Sequence, residues 1–565
     1  MAVLRHTLES GSRIKNTSGR VRKQIKQWLV AEAGIDIHFH GMAGKHASIP
    51  RQLCPALGFS SQQVLIVIIS FCIYFDKNDL MKYAPVRNFI GGEWTPSQGT
   101  QSLDVISPVD GSLLSTVPMS SSVELDAAVA AARRAFPAWS QTPIKERVQV
   151  FFRYKALLEK NLKSLAELIQ EENGKIYSEA VAEIEKSIEL SEFAASLPQL
   201  VTGEVLEVSK GVECRTEHVP VGVVASIVPF NFPAMVPNWT IPNALALGNC
   251  MIIKPSEKVP LTVGRLAELL TEAGLPKGVF NIVQGDAAMV EAICDHPGID
   301  GVSFVGSTKV AKLVYQRSTH HLKRCLSLGG AKNHLLVLPD AIPSMTAQNV
   351  AASMSGCAGQ RCMAASAMLA VGNVDPIIEK ICEEVKRLVP GQTLGAVISK
   401  ESKERIEGYI TAAEKAGARI LVDGRGVTIP GKEKGTYVGA TVIDFVTPDM
   451  AVAKEEIFGP VISIVRTRTV DEALAIENAN PYGNAASVFT QSGGIARYVM
   501  ERASAGMVGV NVGVPVPREP FSFGGWNESK FGVGDITGKS SIAFWTKLKK
   551  STTKWNPEAG INWMS

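Results

Sequence analysis

The sequence predicts an α/β protein with two doubly wound parallel sheets, and three patterns along the chain predict it. From residue 221, short apolar runs alternate with helical ones. A second series of the same kind follows from about residue 328, and residues 124–195 ahead of both carry long amphipathic stretches. Strands that are apolar throughout and separated by helices of about 10 to 15 residues belong to a parallel sheet covered on both faces.

The elements follow in order. LDAAVAAARRAF and the run from residue 144 to 170 repeat their apolar positions at helical spacing. In the first sheet VGVVASIV, CMIIK, VFNIV and GVSFV read as strands, and NWTIPNALAL, TVGRLAELLTEAG and the stretch from Thr308 as helices. In the second, HLLVL, AMLAVG, ARILVDG, PVISIVRT and GVNVG read as strands, with PIIEKICEEVKRL and KERIEGYITAAEKAG as helices. No repeat relates the two series and no low-complexity linker divides them. The two units are therefore expected to share an interface, with the site between them and a dinucleotide at the carboxyl ends of the strands.

At 565 residues and 45% apolar composition the chain is long enough for several cores, three or four at roughly 150 residues each. The net charge of +4 comes from one end: residues 1–80 hold ten Lys or Arg against five Asp or Glu, which leaves the remainder close to neutral. No basic stripe interleaved with aromatics marks a nucleic-acid partner. The basic start of the 1–80 extension resembles an organellar transit peptide. Its apolar run VLIVIISFCIYF is too short for a spanning helix, which takes about 20 residues, so no membrane partner is expected. A globular pattern begins near Met81 with NFIGGEW, which makes Met81 an alternative first residue. Nine cysteines with no CxxC pair argue against a disulfide framework or structural zinc, and no metal is expected. The reading is a reducing compartment, cytoplasmic, or the mitochondrial matrix if residues 1–80 act as a transit peptide.

Two nucleotide signatures nearly occur. GVGDITGKSS puts five residues between Gly532 and Gly538 where a P-loop needs four, and GxGxxG is absent. FVGSTKVAK is another device, a buried strand entering a helix at Gly306 and Ser307, whose N-terminal N–H groups suit a pyrophosphate; a plain Ser N-cap is the simpler reading. IIKPSEKVP sets Lys254 and Glu257 just after a strand, where they could meet ribose hydroxyls or stand as surface charges.

In SGCAGQRCMA, Cys357 and Cys362 are five apart, about 140° on a helix and opposite faces on a strand, so regular geometry does not let them chelate one metal. Cys362 has Arg361 beside it and a glycine-rich approach, as a thiolate nucleophile requires. Cys357 follows a helix of small residues and reads as packing.

VPFNFPAMVPNW, LGNCMIIKPSEKVP, FVGSTKVA, GQRC and KEEIFGPV stand in the order found in the aldehyde dehydrogenase superfamily, which the chain resembles from about Asn88 to Lys550. GGAKNHLLVLPDA, GQRCMA and FNFPAMVPNW are similar to its methylmalonate-semialdehyde dehydrogenase branch, which makes acyl-coenzyme A. The resemblance implies Cys362 as nucleophile and Asn231 as oxyanion donor with the Cys362 N–H, one such donor contributing about 3 kcal/mol. It implies NAD contacts at Val228, Phe230, Lys254, Glu257, Lys258, Ser307, Glu456 and Phe458, the acid favouring NAD over NADP. It also implies substrate contacts at Arg361 and Lys186.

The implied layout is a doubtful extension at 1–80, an NAD-binding domain at 81–199 and 220–327, a catalytic domain at 328–538, and an oligomerisation arm at 200–219 and 539–555. A homo-oligomer, dimer or tetramer, is expected, with SIAFWTKLKK as a strand of the arm.

LSLGGAKNH departs from the hydrolytic members, which read LELGG with the glutamate as base for water. Ser327 cannot serve as that base, and a thiol attacks a thioester without one. The implied reaction is oxidation of methylmalonate or malonate semialdehyde to an acyl-coenzyme A with decarboxylation, coenzyme A being the co-substrate. The alternative is a hydrolytic NAD(P)-dependent enzyme making a free acid, for example from succinate semialdehyde, with Asp535 as base. A non-catalytic nucleotide-binding protein is a third possibility. Lys186 in EIEKSIELSEF stands where the branch has an arginine, and FSFGGWNESKFG lacks the branch's arginine-serine run.

Overall fold

The computed structural model describes residues 81–555; the expectations for the 1–80 extension lie outside the described residues. Two large sheets organise the chain. In the first, the parallel strands lie in the order Phe280–Ile282, Cys250–Lys254, Val223–Ile227, Gly301–Val305 and Arg324–Leu328. Antiparallel edges are added by Asn88–Ile90, Glu93–Thr95 and Lys530–Phe531. The order reverses between Val223–Ile227 and Gly301–Val305, and the crevice at such a switch point is where a dinucleotide lies.

The second sheet runs Thr441–Asp444, Val461–Thr467, Ala365–Val371, Asn333–Val337, Ala485–Phe489 and Met507–Val510, all parallel, with Arg419–Val422 antiparallel at one edge. Each sheet has its own apolar core. The central strands Val223–Ile227, Cys250–Lys254 and Asn333–Val337 are buried at every position, which explains their largely apolar composition; Ser226, Lys254, Asn333 and His334 are the polar residues buried with them.

A three-stranded arm joins Thr546–Lys554 to Val212–Pro220, and that strand to Val205–Ser209. The SIAFW half of the expected terminal strand is instead the short helix Ser540–Trp545, and the strand starts at Thr546. Ile542, Phe544 and Trp545 are buried there, so a short apolar run chose helix over strand through packing. The run from 144 to 170 is two helices, Ile144–Lys160 and Leu162–Asn173, meeting at Asn161. Lys530–Phe531, placed by sequence in the catalytic segment, pairs with the first sheet. Among the described residues no helix is long and apolar enough to cross a membrane, and no group of three or more His, Cys, Asp or Glu could hold a metal.

Candidate active site

The nucleophile candidate sits where a helix turns into a strand. Helix Pro343–Ser355 ends, the chain makes a tight turn over Gly356–Gly359, and Gln360, Arg361 and Cys362 lead to strand Ala365–Val371. The small residues have a cause: a Cβ on Gly359 would lie 2.0 Å from the Gly459 carbonyl oxygen, and one on Gly356 would lie 2.0 Å from the Arg361 guanidinium. Cys357 holds a left-handed backbone (φ 52°) and is buried.

Three amides fix this loop. Asn231 Nδ2 donates to the Gln360 carbonyl at 2.9 Å. Asn333 Nδ2 and Asn484 Nδ2 both donate to the Cys362 carbonyl at 2.8 Å. Gln360 Oε1 in turn accepts from the Ile398 N–H at 3.0 Å.

The Asn231 segment is held from the end of helix Leu162–Asn173, the turn after it and helix Tyr177–Leu200. Asn173 Nδ2 donates to the Phe230 carbonyl at 2.8 Å, and Lys175 Nζ to the Asn231 carbonyl at 2.9 Å. Lys175 also pairs with Glu183 at 2.5 Å, both side chains being fully buried. The other Glu183 oxygen accepts from the Ala234 and Met235 N–H groups at 2.7 and 3.0 Å, at the start of helix Met235–Ala246. A buried ion pair of this kind holds only when its remaining hydrogen bonds are made, and here they are.

Burial, and after it the charge of Glu456, push the Cys362 thiol up to about 12; backbone N–H groups and Arg361 pull the other way without prevailing. The sequence expectation that Arg361 favours the thiolate is therefore outweighed in the resting site. Glu456 is itself raised to about 7 by burial, although the Ala331 N–H donates to it at 3.0 Å. Burial lowers Lys332 to about 7, and its Nζ donates to the Val452 carbonyl at 2.7 Å.

Ser327 lies on strand Arg324–Leu328, fully buried, with its Oγ 3.4 Å from Cys325 Sγ. Cys325 faces helix Thr308–His320 through the Val314 carbonyl. Successive strand side chains alternate faces, so Leu328 occupies the opposite one, 4% exposed. Neither residue offers a carboxylate. Asp535, the alternative base, is ion-paired to Lys530 at 2.8 Å.

The cofactor candidates gather at the carboxyl edge of the first sheet. Val228 follows strand Val223–Ile227, and its N–H donates to the Lys254 carbonyl at 3.1 Å. Lys254 Nζ lies 3.4 Å from Glu257. Phe230 and Phe458 meet edge to face at 5.9 Å, and the Lys258 ammonium stands 5.9 Å from the Phe230 ring. Ser307 caps helix Thr308–His320 from an exposed position, with no side-chain bond to the helix. The free helix N-terminus and the Lys254–Glu257 pair fit a dinucleotide's pyrophosphate and ribose.

The two substrate candidates carry in-chain acids. Arg361 pairs with Glu179 at 3.3 Å through one nitrogen, and the same Glu179 oxygen accepts from the Cys357 N–H at 2.6 Å. Lys186 pairs with Glu519 at 2.5 Å and Glu189 at 3.2 Å. Sequence reading missed Glu179, Glu183, Asn333, Asn484 and Glu519. Of these, Asn333 in GGAKNH and Glu183, which opens EIEKSIELSEF, lay in quoted motifs and were open to detection.

The aldehyde dehydrogenase family model matches residues 94–551. The chain belongs to the aldehyde dehydrogenase family. Among curated aldehyde dehydrogenases, malonate-semialdehyde dehydrogenase 1 of Geobacillus kaustophilus is 42% identical over 478 residues, 83% of this chain and 98% of the relative. Malonate-semialdehyde dehydrogenase of Halalkalibacterium halodurans is likewise 42% identical, over the same shares. Among solved aldehyde dehydrogenase structures, methylmalonate-semialdehyde dehydrogenase of Oceanimonas doudoroffii superimposes with a TM-score of 0.82 at 40% identity, covering 84% of this chain and 99% of that one. A Sinorhizobium meliloti 1021 protein assigned the same activity and complexed with NAD gives 0.83 at 40% identity over the same shares.

Proposed function

We propose that this protein oxidises malonate or methylmalonate semialdehyde with NAD and releases the product as an acyl-coenzyme A. The observation that carries the release step is the missing base: Ser327 is buried against Cys325 and Leu328 follows it, so the strand end offers no carboxylate to activate water. The relatives named for malonate semialdehyde support the substrate class.

The chain's residues divide the work. Cys362 Sγ, once deprotonated, bonds to the aldehyde carbon, and the carbonyl electron pair moves to oxygen. Asn231 Nδ2, held by Gln360 on one side, and the Cys362 N–H stabilise that oxyanion. NAD supplies the hydride acceptor when bound at the sheet edge, with Lys254, Glu257 and Ser307 holding its ribose and pyrophosphate. Collapse of the oxyanion with loss of the hydride leaves a thioester on Cys362. The guanidinium of Arg361 pairs with Glu179 through one nitrogen and also meets the Cys357 thiol, and its remaining N–H groups bind the substrate carboxylate. Loss of that carboxylate as carbon dioxide passes its electron pair to the thioester, and the carbon left behind takes a proton. The thiolate of coenzyme A then displaces Cys362, giving one acyl-coenzyme A, one carbon dioxide and one NADH per semialdehyde.

The test is a single-turnover experiment without coenzyme A. One NADH per site should form and stop, with the acyl group mapped to Cys362 by mass spectrometry, and Cys362→Ala should give no burst. A burst surviving that substitution contradicts the assignment of the nucleophile.

A further inference from the structure

Helix Tyr177–Leu200 turns one face to the site. Glu179, Glu183 and Lys186 stand at i, i+4 and i+7, so they share that face. Glu179 reaches Cys357 and Arg361, and Glu183 reaches the backbone just after Asn231. Lys186 lies on the same line, about 10.5 Å along the axis from Glu179.

Glu519 comes to Lys186 on the segment that follows strand Met507–Val510. That segment is tied to the helix leading into the Cys362 loop, because Ser353 Oγ donates to the Gly513 carbonyl at 2.7 Å and the Gly513 N–H donates to Asn349 at 3.1 Å. It also packs on the helix after Asn231, where the Phe523 and Trp239 rings lie 4.6 Å apart. Glu519 therefore enters between the two elements that deliver Cys362 and Asn231. Its side chain is only 6% exposed.

We propose that Glu519 is a specificity-determining residue, whose carboxylate holds Lys186 and competes there with the carboxylate of an anionic aldehyde. The proposal rests on the semialdehyde reading above and deepens it. Lys186 faces two acids, Glu519 and Glu189, so one positive charge meets two negative ones. An incoming carboxylate must displace Glu519 or lie beside it, and like charges placed together are costly. Glu179 plays a different part at Arg361, since it also accepts the Cys357 N–H and so belongs to the loop's framework. Recognition of substrate charge then falls on Arg361, with Lys186 held back by Glu519.

Glu519→Gln keeps the shape and removes the charge. Two measurements read it: the ratio of kcat/KM for malonate semialdehyde to that for propanal, its neutral counterpart, and the Kd of malonate for the NAD-loaded protein by calorimetry. The ratio should rise, and the Kd fall, by about tenfold. Adding Lys186→Met to Glu519→Gln should reverse both gains, and Glu189→Gln alone should move both the same way by a smaller factor. A ratio and a Kd that stay within about twofold, or move in the opposite direction, overturn the proposal. Wild-type protein that makes no NADH from malonate semialdehyde, yet binds malonate more tightly as Glu519→Gln, would sink the proposed function and leave the Glu519 assignment standing.

Discussion

Asn231 and Gln360 join the segments that follow the two sheets' strands at the Cys362 loop: the Asn231 amide donates to the Gln360 carbonyl at 2.9 Å, two residues before Cys362. One amide thus fixes the loop, and in the proposed mechanism its second N–H group serves the oxyanion. Asn231→Ala should lower kcat by about 10²- to 10³-fold, read as the rate of the NADH burst. A burst rate within a few fold of wild type would remove Asn231 from the oxyanion role.

Asn333 and Asn484 converge on the Cys362 carbonyl, each at 2.8 Å. Through that carbonyl they hold the backbone that carries the Cys362 thiol. Asn333→Ala and Asn484→Ala should each cost about 1–3 kcal/mol of folding stability, since each removes buried hydrogen bonds. The double variant should depart from additivity because the two share one acceptor. Thermal unfolding measures the first effect, and kcat with an unchanged NAD KM measures the displaced thiol.

The raised Cys362 thiol fixes a pH dependence. A thiol whose pKa stands near 12 is protonated at neutral pH, and its thiolate fraction grows as pH rises. Alkylation of Cys362 in the cofactor-free protein should therefore speed up about tenfold per pH unit, with no plateau below about pH 10. Glu456→Gln removes the negative charge that Glu456 carries above about pH 7 and should raise the rate at a fixed pH above that value. Peptide mapping after iodoacetamide treatment follows the site, and a plateau near neutral pH would contradict this electrostatic picture.

Much of the fold was legible because a buried parallel strand leaves a short, mostly apolar run between helical ones, such as the VGVV that leads into Val223–Ile227 and the LLV that ends Asn333–Val337. Arg324–Leu328 escaped notice because Arg324 and Ser327 interrupt its run, and the SIAFW half of the last predicted strand proved helical because a short apolar run fits either form. In the candidate site, the loops of Asn231 and Cys362 were legible as glycine- and proline-rich motifs, and the structure brings them within one hydrogen bond. The acids that hold the cations were not. Glu179 meets Arg361 across 182 residues and Glu519 meets Lys186 across 333, and only the folded chain reveals such pairings. The thiol's protonation also depended on burial and on Glu456 rather than on adjacent Arg361.

Release of the acyl group by a thiol is tested most directly by the product. Enzyme, NAD and malonate semialdehyde are incubated with and without coenzyme A, and NADH and acyl products are followed together. Repeated turnover to acetyl-coenzyme A only when the thiol is present is the expected result. Sustained formation of free acid without it would contradict that chemistry.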